Sequence, residues 1–148
     1  VPDHARTIGF LQRVVEMLGV FGISAEICEA GTRLATTGPI DMHAIGVLIC
    51  VSGDLTGVTW QFPIGVTRRA ASVLAPGLAL EPAILEAAAS ELANVLTGRG
   101  LDALAGHGVD FEIAPPRITS IAPSGSISQV TTDLGLIVVS FHPGVLGP

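Results

Sequence analysis

Lysine is absent from this sequence, and its seven cationic side chains, all arginine, face thirteen acids for a net charge of −6. Only Arg68 and Arg69 are adjacent. Non-specific nucleic-acid binding needs clustered cations to neutralise phosphates, so that class is excluded. Long apolar runs are missing as well. The longest, residues 44–51, falls far short of the ~20 residues that span a bilayer, and no membrane insertion is expected. Cysteine is scarce: Cys28 and Cys50 are too few for a disulfide scaffold. Both lie in apolar, strand-like contexts, where reduced and buried thiols are the expectation. No basic-then-apolar signal segment opens the chain, which makes the cytoplasm the expected compartment. The four histidines, His4, His43, His107 and His142, are dispersed and have no acid or thiol at metal-ligand spacing. There is no Gly-x-Ser-x-Gly and no phosphate-loop pattern, which argues against a serine hydrolase and a nucleotide site.

What is present is apolar. Hydrophobic residues make up 49% of the 148 positions against 14% charged, and some of that surface is expected to meet a second copy or a partner. The length suits one domain over residues 1–148. Apolar spacing of three and four predicts a helix over 4–18, with Ile8, Leu11, Val14, Val15 and Leu18 inward. A strand over 23–30 and a loop over 31–39 follow. Residues 43–52 and 57–62 read as a β-hairpin around Gly53-Asp54-Leu55-Thr56. Val58, Trp60 and Phe62 alternate onto one of its faces. A second helix over 64–75 is read with Val66, Ala70, Val73 and Leu74 inward and Thr67, Arg68 and Arg69 more exposed. Pro76 and Gly77 end it. After a third helix come strands over 109–114, 117–121, 126–132 and 136–142, the first two bent into one another at Pro115-Pro116. The plan is helix, three strands, helix, then helix and three strands, a loose internal repeat. It predicts an α+β fold with about six antiparallel strands and helices on one face.

The chain's single Asn lies in that third helix, residues 82–105. Pro82 suits the first helical position, where its missing N–H costs nothing. Leu85, Ala88, Leu92, Val95 and Leu96 form the expected buried stripe, while Gly98 and Gly100 are expected to kink or thin the second half. Asn94 stands one turn after Glu91, on a face otherwise holding Ala83, Ala87 and Gly98. Asn costs up to ~0.7 kcal/mol relative to Ala inside a helix, and folding alone does not call for it in so alanine-rich a segment. Glu91 and Asn94 are therefore the candidate functional pair. The plain alternative is the solvated polar face of an amphipathic helix.

Five segments occur in a telling order: Ser-Gly-Asp-Leu-Thr-Gly from Ser52, Val-Thr-Trp-Gln-Phe-Pro from Val58, Ser-Glu-Leu-Ala-Asn-Val-Leu-Thr-Gly-Arg-Gly from Ser90, Phe-Glu-Ile-Ala-Pro-Pro-Arg-Ile from Phe111, and Thr-Thr-Asp-Leu-Gly from Thr131. The succession resembles the chemotaxis phosphatases of the CheC/FliY/CheX family, and within it the CheX type, over residues 45–141. The family pattern is an acidic or Ser residue, three residues, Glu, two residues, Asn, and a Pro some two dozen residues on. Glu91 and Asn94 match its core. Ala87 departs from the Asp or Ser position, and Pro116 falls about one residue short of the usual spacing. CheC-type members carry the pair on two related helices. In the first helix here Glu16 is followed three residues on by Gly19, so the match is to the single-site arrangement.

The resemblance implies hydrolysis of the aspartyl phosphate on a phosphorylated CheY-like receiver domain, with Glu91 and Asn94 as the catalytic pair. It implies no cofactor in this chain, Mg²⁺ and a Lys being supplied by the receiver, and it implies a homodimer. The residue types suit the task. An acyl phosphate is already activated, and what remains is to hold a water in line and dock the partner. An amide can both donate to and accept from that water, and a carboxylate one turn away can pair with the receiver's Lys. A second class stays open: a CheX-like binding or dimerisation module without catalysis. Ala87 favours the module and the intact pair favours the enzyme.

Overall fold

A computed structural model describes residues 4–33, 44–51, 57–104, 112–120 and 125–142. Its elements run α1 (His4–Val20), β1 (Ala25–Arg33), β2 (Ile45–Cys50), β3 (Gly57–Phe62), α2 (Ile64–Leu74), α3 (Pro82–Leu104), β4 (Arg117–Thr119), β5 (Ser126–Thr132) and β6 (Gly135–His142). The strands form one sheet in the order β1-β5-β6-β3-β2-β4, and every neighbouring pair is antiparallel. This is the expected α+β arrangement, and the repeat is written into it. Exchanging β1 with β4, β2 with β5 and β3 with β6 returns the same order read backwards. The approximate two-fold axis passes between β6 and β3, and α1 is the counterpart of α3. No described helix is long and apolar enough to cross a membrane.

The core lies between one face of the sheet and the helices. From the strands come Val47, Ile49, Val58, Trp60, Phe62, Val130, Ile137, Val139 and Phe141. Registered pairing puts Val47, Trp60 and Val139 in one row across the sheet and Ile49, Val58 and Phe141 in the next. Phe10, Leu11, Val14 and Leu18 of α1 and Leu85, Leu92 and Leu96 of α3 close over them. Trp60 is at the centre, its ring stacked on Phe62 at 5.6 Å and on Phe10 at 6.1 Å, while Phe10 meets Phe141 edge-on at 5.0 Å. Such aromatic pairs add ~0.5–1.5 kcal/mol each to the value of the area they bury.

Several expectations need correction. Gly31 to Arg33 continue β1 rather than entering a loop, because Thr32 and Arg33 pair with Ile127 and Ser126 of β5. Cys28 is exposed and Cys50 half-buried, both free thiols. The cause at Cys28 is a register shift: Ile27 and Glu29 face the consecutive residues Val130 and Gln129, so β1 carries one extra residue there. The Cys28 Sγ instead accepts from the Thr131 hydroxyl at 3.1 Å on the sheet's edge strand. In α2 the buried set is Val66, Thr67, Ala70 and Ala71, whereas Val73 and Leu74 are exposed. That helix lies against α3, and Leu74 shares the face of Thr67, Ala70 and Ala71, but from Ser72 to Leu74 the last turn of the helix is exposed.

The proline pair sits at the sheet's other edge. Ile113 bridges to Val51, and Arg117 pairs with Leu48, three residues earlier on β2 but four later on the outer segment. One residue is therefore looped out at Pro115-Pro116, where a missing N–H costs no interior ladder bond. Residues 112–114 contribute only that bridge, so the strand expected over 109–114 is not formed among the described residues. The expected turn at 53–56, residues 105–111 and His43 lie outside the described residues.

The glycines of α3 do not kink it. A Cβ at Gly100 would enter the Phe10 ring, and one at Gly9 of α1 would touch Ala103 at 3.8 Å, so small residues let the two helices approach closely. Gly100→Ala thus sets a gain in helix propensity of ~1 kcal/mol against overpacking of ~1–3 kcal/mol. The expected outcome in urea titration is a net loss of stability, partly restored when Phe10→Leu is added. A Gly100→Ala protein as stable as the parent would contradict the packing described here.

Candidate functional site

α3 runs for 23 residues, about 35 Å at 1.5 Å per residue. It can be so long because two faces have different duties. Leu85, Ala88, Ala89, Leu92, Ala93, Leu96 and Leu101 are buried, and short alanines between the leucines let the helix lie close to the sheet and to α1. The opposite strip reads Ala83, Ala87, Glu91, Asn94 and Gly98. The first three are exposed and the last two half-buried. The sequence-predicted pair is therefore brought together on one outward strip, as its spacing requires.

Neither Glu91 nor Asn94 forms a hydrogen bond or ion pair with another described residue. Their polar atoms are left for an incoming group. Flanking alanines keep the approach from the N-terminal side low. On the other flank the absent side chain at Gly98 leaves ordinary contact distance, 3.9 Å from a Cβ there to Ile113 Cδ1, so the helix abuts the edge segment that leads into Pro116. A carboxylate, a primary amide and a shallow hydrophobic surround can hold and orient a water or a partner's cation. They include no nucleophile of their own. Among the described residues no group of three His, Cys, Asp or Glu side chains is placed to hold a metal ion.

The feature missed by sequence reading is Thr97. Its hydroxyl accepts a 2.8 Å hydrogen bond from the Trp60 indole N–H, with both side chains fully buried. Thr97 lies three residues after Asn94, about 60° round the helix. Pinning Thr97 to the sheet therefore sets the rotation at which Asn94 emerges. A threonine among Leu, Ala and Gly was visible in the sequence, but its partner is 37 residues away and only the fold brings them together.

The protein also has an open hollow of about 690 Å³ elsewhere, lined by residues that include Val15, Gly19, Ile23, Glu26, Thr131 and Asp133. It shares no residue with α3. The sequence-predicted pair, Glu91 and Asn94, lies outside it. On α1 the residue three after Glu16 is Gly19, and Glu16 lies 3.6 Å from Arg13, so this helix carries no Glu–Asn pair.

No family model matches the chain, and no curated protein matches it in sequence. Solved structures do match in fold. The chemotaxis protein CheX from Desulfovibrio desulfuricans superposes with a TM-score of 0.69 at 15% identity, over 93% of this chain and 97% of its own. CheX from Vibrio vulnificus gives 0.68 at 16% identity, over 93% and 95%. A CheX–CheY–BeF₃–Mg²⁺ complex from Borrelia burgdorferi gives 0.60 at 15% identity, over 95% and 98%. The architecture is thus CheX-like along nearly the whole chain, with a likeness of fold at these identities.

Thr97→Val keeps the shape and removes the acceptor, leaving a buried indole N–H unpaired at a cost of about 1–3 kcal/mol. A lowered urea midpoint with an unchanged slope is the expected result. An unchanged midpoint would mean that this bond does not hold α3 in place.

Proposed function

We propose that this protein dephosphorylates the aspartyl phosphate of a CheY-type receiver domain. The observation that carries the reading is the outward strip of α3, where an exposed carboxylate and a half-buried amide stand one turn apart with no described protein partner. The likeness to CheX structures, one of them a complex with CheY, supports it. Asn94 is assigned to the attacking water. It donates to and accepts from that water and holds its oxygen in line with the scissile P–O bond. The water oxygen bonds to phosphorus, the P–O bond to the receiver's aspartate breaks, and the carboxylate leaves with the electron pair as inorganic phosphate forms. Glu91 is assigned to the receiver's Lys and sets the register between the two proteins. Mg²⁺ belongs to the receiver, and no cofactor is assigned to this chain.

A second reading has one observation in its favour. Ala87 occupies the position of the family's Asp or Ser, and its exposed methyl group offers no polar contact. The protein would then bind a receiver without catalysing hydrolysis. In either form it is proposed to act in the cytoplasm as a homodimer, in keeping with its high apolar and low charged content.

Phosphate release from a phosphorylated receiver, with and without the protein, separates these readings. Asn94→Ala is expected to lower the accelerated rate by on the order of 100-fold while receiver affinity stays the same. Its stability should rise by a few tenths of a kcal/mol, since Ala is the better helix former. Glu91→Ala should weaken receiver binding as well. If the wild type accelerates no receiver but binds one, the binding module takes the place of the enzyme. If Asn94→Ala is fully active, the site is wrong. Sedimentation at tens of micromolar should show a dimer, and a monomer there would count against self-association.

A further inference from the structure

Residues 73–80 read Val-Leu-Ala-Pro-Gly-Leu-Ala-Leu and carry no polar side chain, although they are the exposed end of α2 and all of its surface connection to α3 except Glu81. Connections of this kind are ordinarily built from polar and turn-forming residues. Here Val73, Leu74, Leu78 and Leu80 are 48%, 43%, 57% and 42% exposed. The large side chains are held out by an ordered backbone. The Ala75 N–H donates to the Ala71 carbonyl at 2.8 Å, Leu78 to Ala75 at 3.2 Å and Glu81 to Ala79 at 2.9 Å, and Gly77 takes the left-handed φ of +84° that the turn requires. A preformed apolar turn loses little freedom on binding.

The turn leads directly into the strip that carries Glu91 and Asn94. Twelve residues of helix separate Pro82 from Asn94, about 18 Å. An ordinary protein interface of ~800 Å² per partner is about 30 Å across, so one partner reaches both. The charge pattern says what kind. Between Arg69 and Arg99 the chain has Glu81, Glu86 and Glu91 and no Arg, Lys or His. A second copy docked by a two-fold contact centred on the turn would set the exposed Glu81 of each copy against the other's, and an anionic lipid surface would be repelled by the same carboxylate. The complementary occupant is a protein face with an apolar centre and basic residues around it.

We propose that the 73–80 turn is a second anchor for the same receiver domain that presents its phosphate to Asn94, and that it recognises an apolar, basic-rimmed face of that domain away from the phosphorylation site. The proposal rests on the function proposed above. It divides the surface into two jobs: the turn supplies affinity and choice of receiver, while the α3 strip supplies chemistry.

The test is the double variant Leu78→Ser, Leu80→Ser, compared with wild type and Asn94→Ala in receiver titration and in steady-state phosphate release. Both leucines are substantially exposed, so the fold should survive, and circular dichroism checks it. The double variant is expected to raise Kd and KM about tenfold with kcat at saturation unchanged, the opposite split from Asn94→Ala. Sedimentation of the double variant should match wild type. Unchanged Kd and KM, with wild type active on the receiver, would overturn this proposal and leave the proposed function standing. A dimer lost with receiver affinity unchanged would also overturn it, by making the turn a contact between copies. A wild type that neither binds nor dephosphorylates any receiver would overturn both.

Discussion

The hydrogen bond from Trp60 to Thr97 is where the sheet takes hold of its longest helix. Most contacts between α3 and the sheet are between alkyl groups, and such contacts tolerate small rotations and slides at little cost. A buried indole N–H is less forgiving, since leaving it unpaired costs about 1–3 kcal/mol. Trp60 is itself held by rings on two sides, Phe62 from its own strand and Phe10 from α1. The donor is therefore immobile, and its acceptor must come to it. Three residues back along α3, Asn94 inherits that rotation.

Around this anchor the structure is a two-fold repeat used asymmetrically. The order β1-β5-β6-β3-β2-β4 interleaves the two halves, so neither could make the sheet alone. Yet α1 and α3 have diverged in duty. α1 sends Phe10 across to the hollow left by Gly100 and keeps Glu16 beside Arg13. α3 gives up side-chain volume at Gly100 to receive that ring, and its outer strip is left free of intramolecular bonds among the described residues. One helix locks the core and the other presents the polar pair.

The outer surface of α3 follows from the same division. Its exposed positions are small or acidic until Arg99, and the turn before it is wholly apolar. A helix with short side chains on its open face offers backbone-close approach, which suits contact with another protein's surface more than enclosure of a small molecule. In the proposed reaction the phosphate stays in the partner's own site and this protein contributes groups that project, so the hollow at the end of α1 has no part in it.

Much of this was legible along the chain, and the reason is local. Helix spacing in 82–105, Pro82 at its start and the five-segment succession announced both the α3 helix and the Glu91–Asn94 pair, because residues three apart on a helix must share a face whatever surrounds them. The alternation of Val58, Trp60 and Phe62 likewise allowed only one inward side. The misjudged features were those set by distant partners. Val73 and Leu74 looked inward from their spacing, but α2 is buried only as far as Ala71, and its last turn is left to solvent. Cys28 looked buried until its pairing with β5 placed an extra residue on an edge strand. Gly100 looked like a weak point in a helix, and only the ring of Phe10, ninety residues earlier, makes it a fitting. Sequence by itself determined which side chains lie together within an element, because backbone periodicity does not depend on context. Tertiary structure alone decided which way each element faces and what meets it, because that depends on packing between residues far apart in the chain.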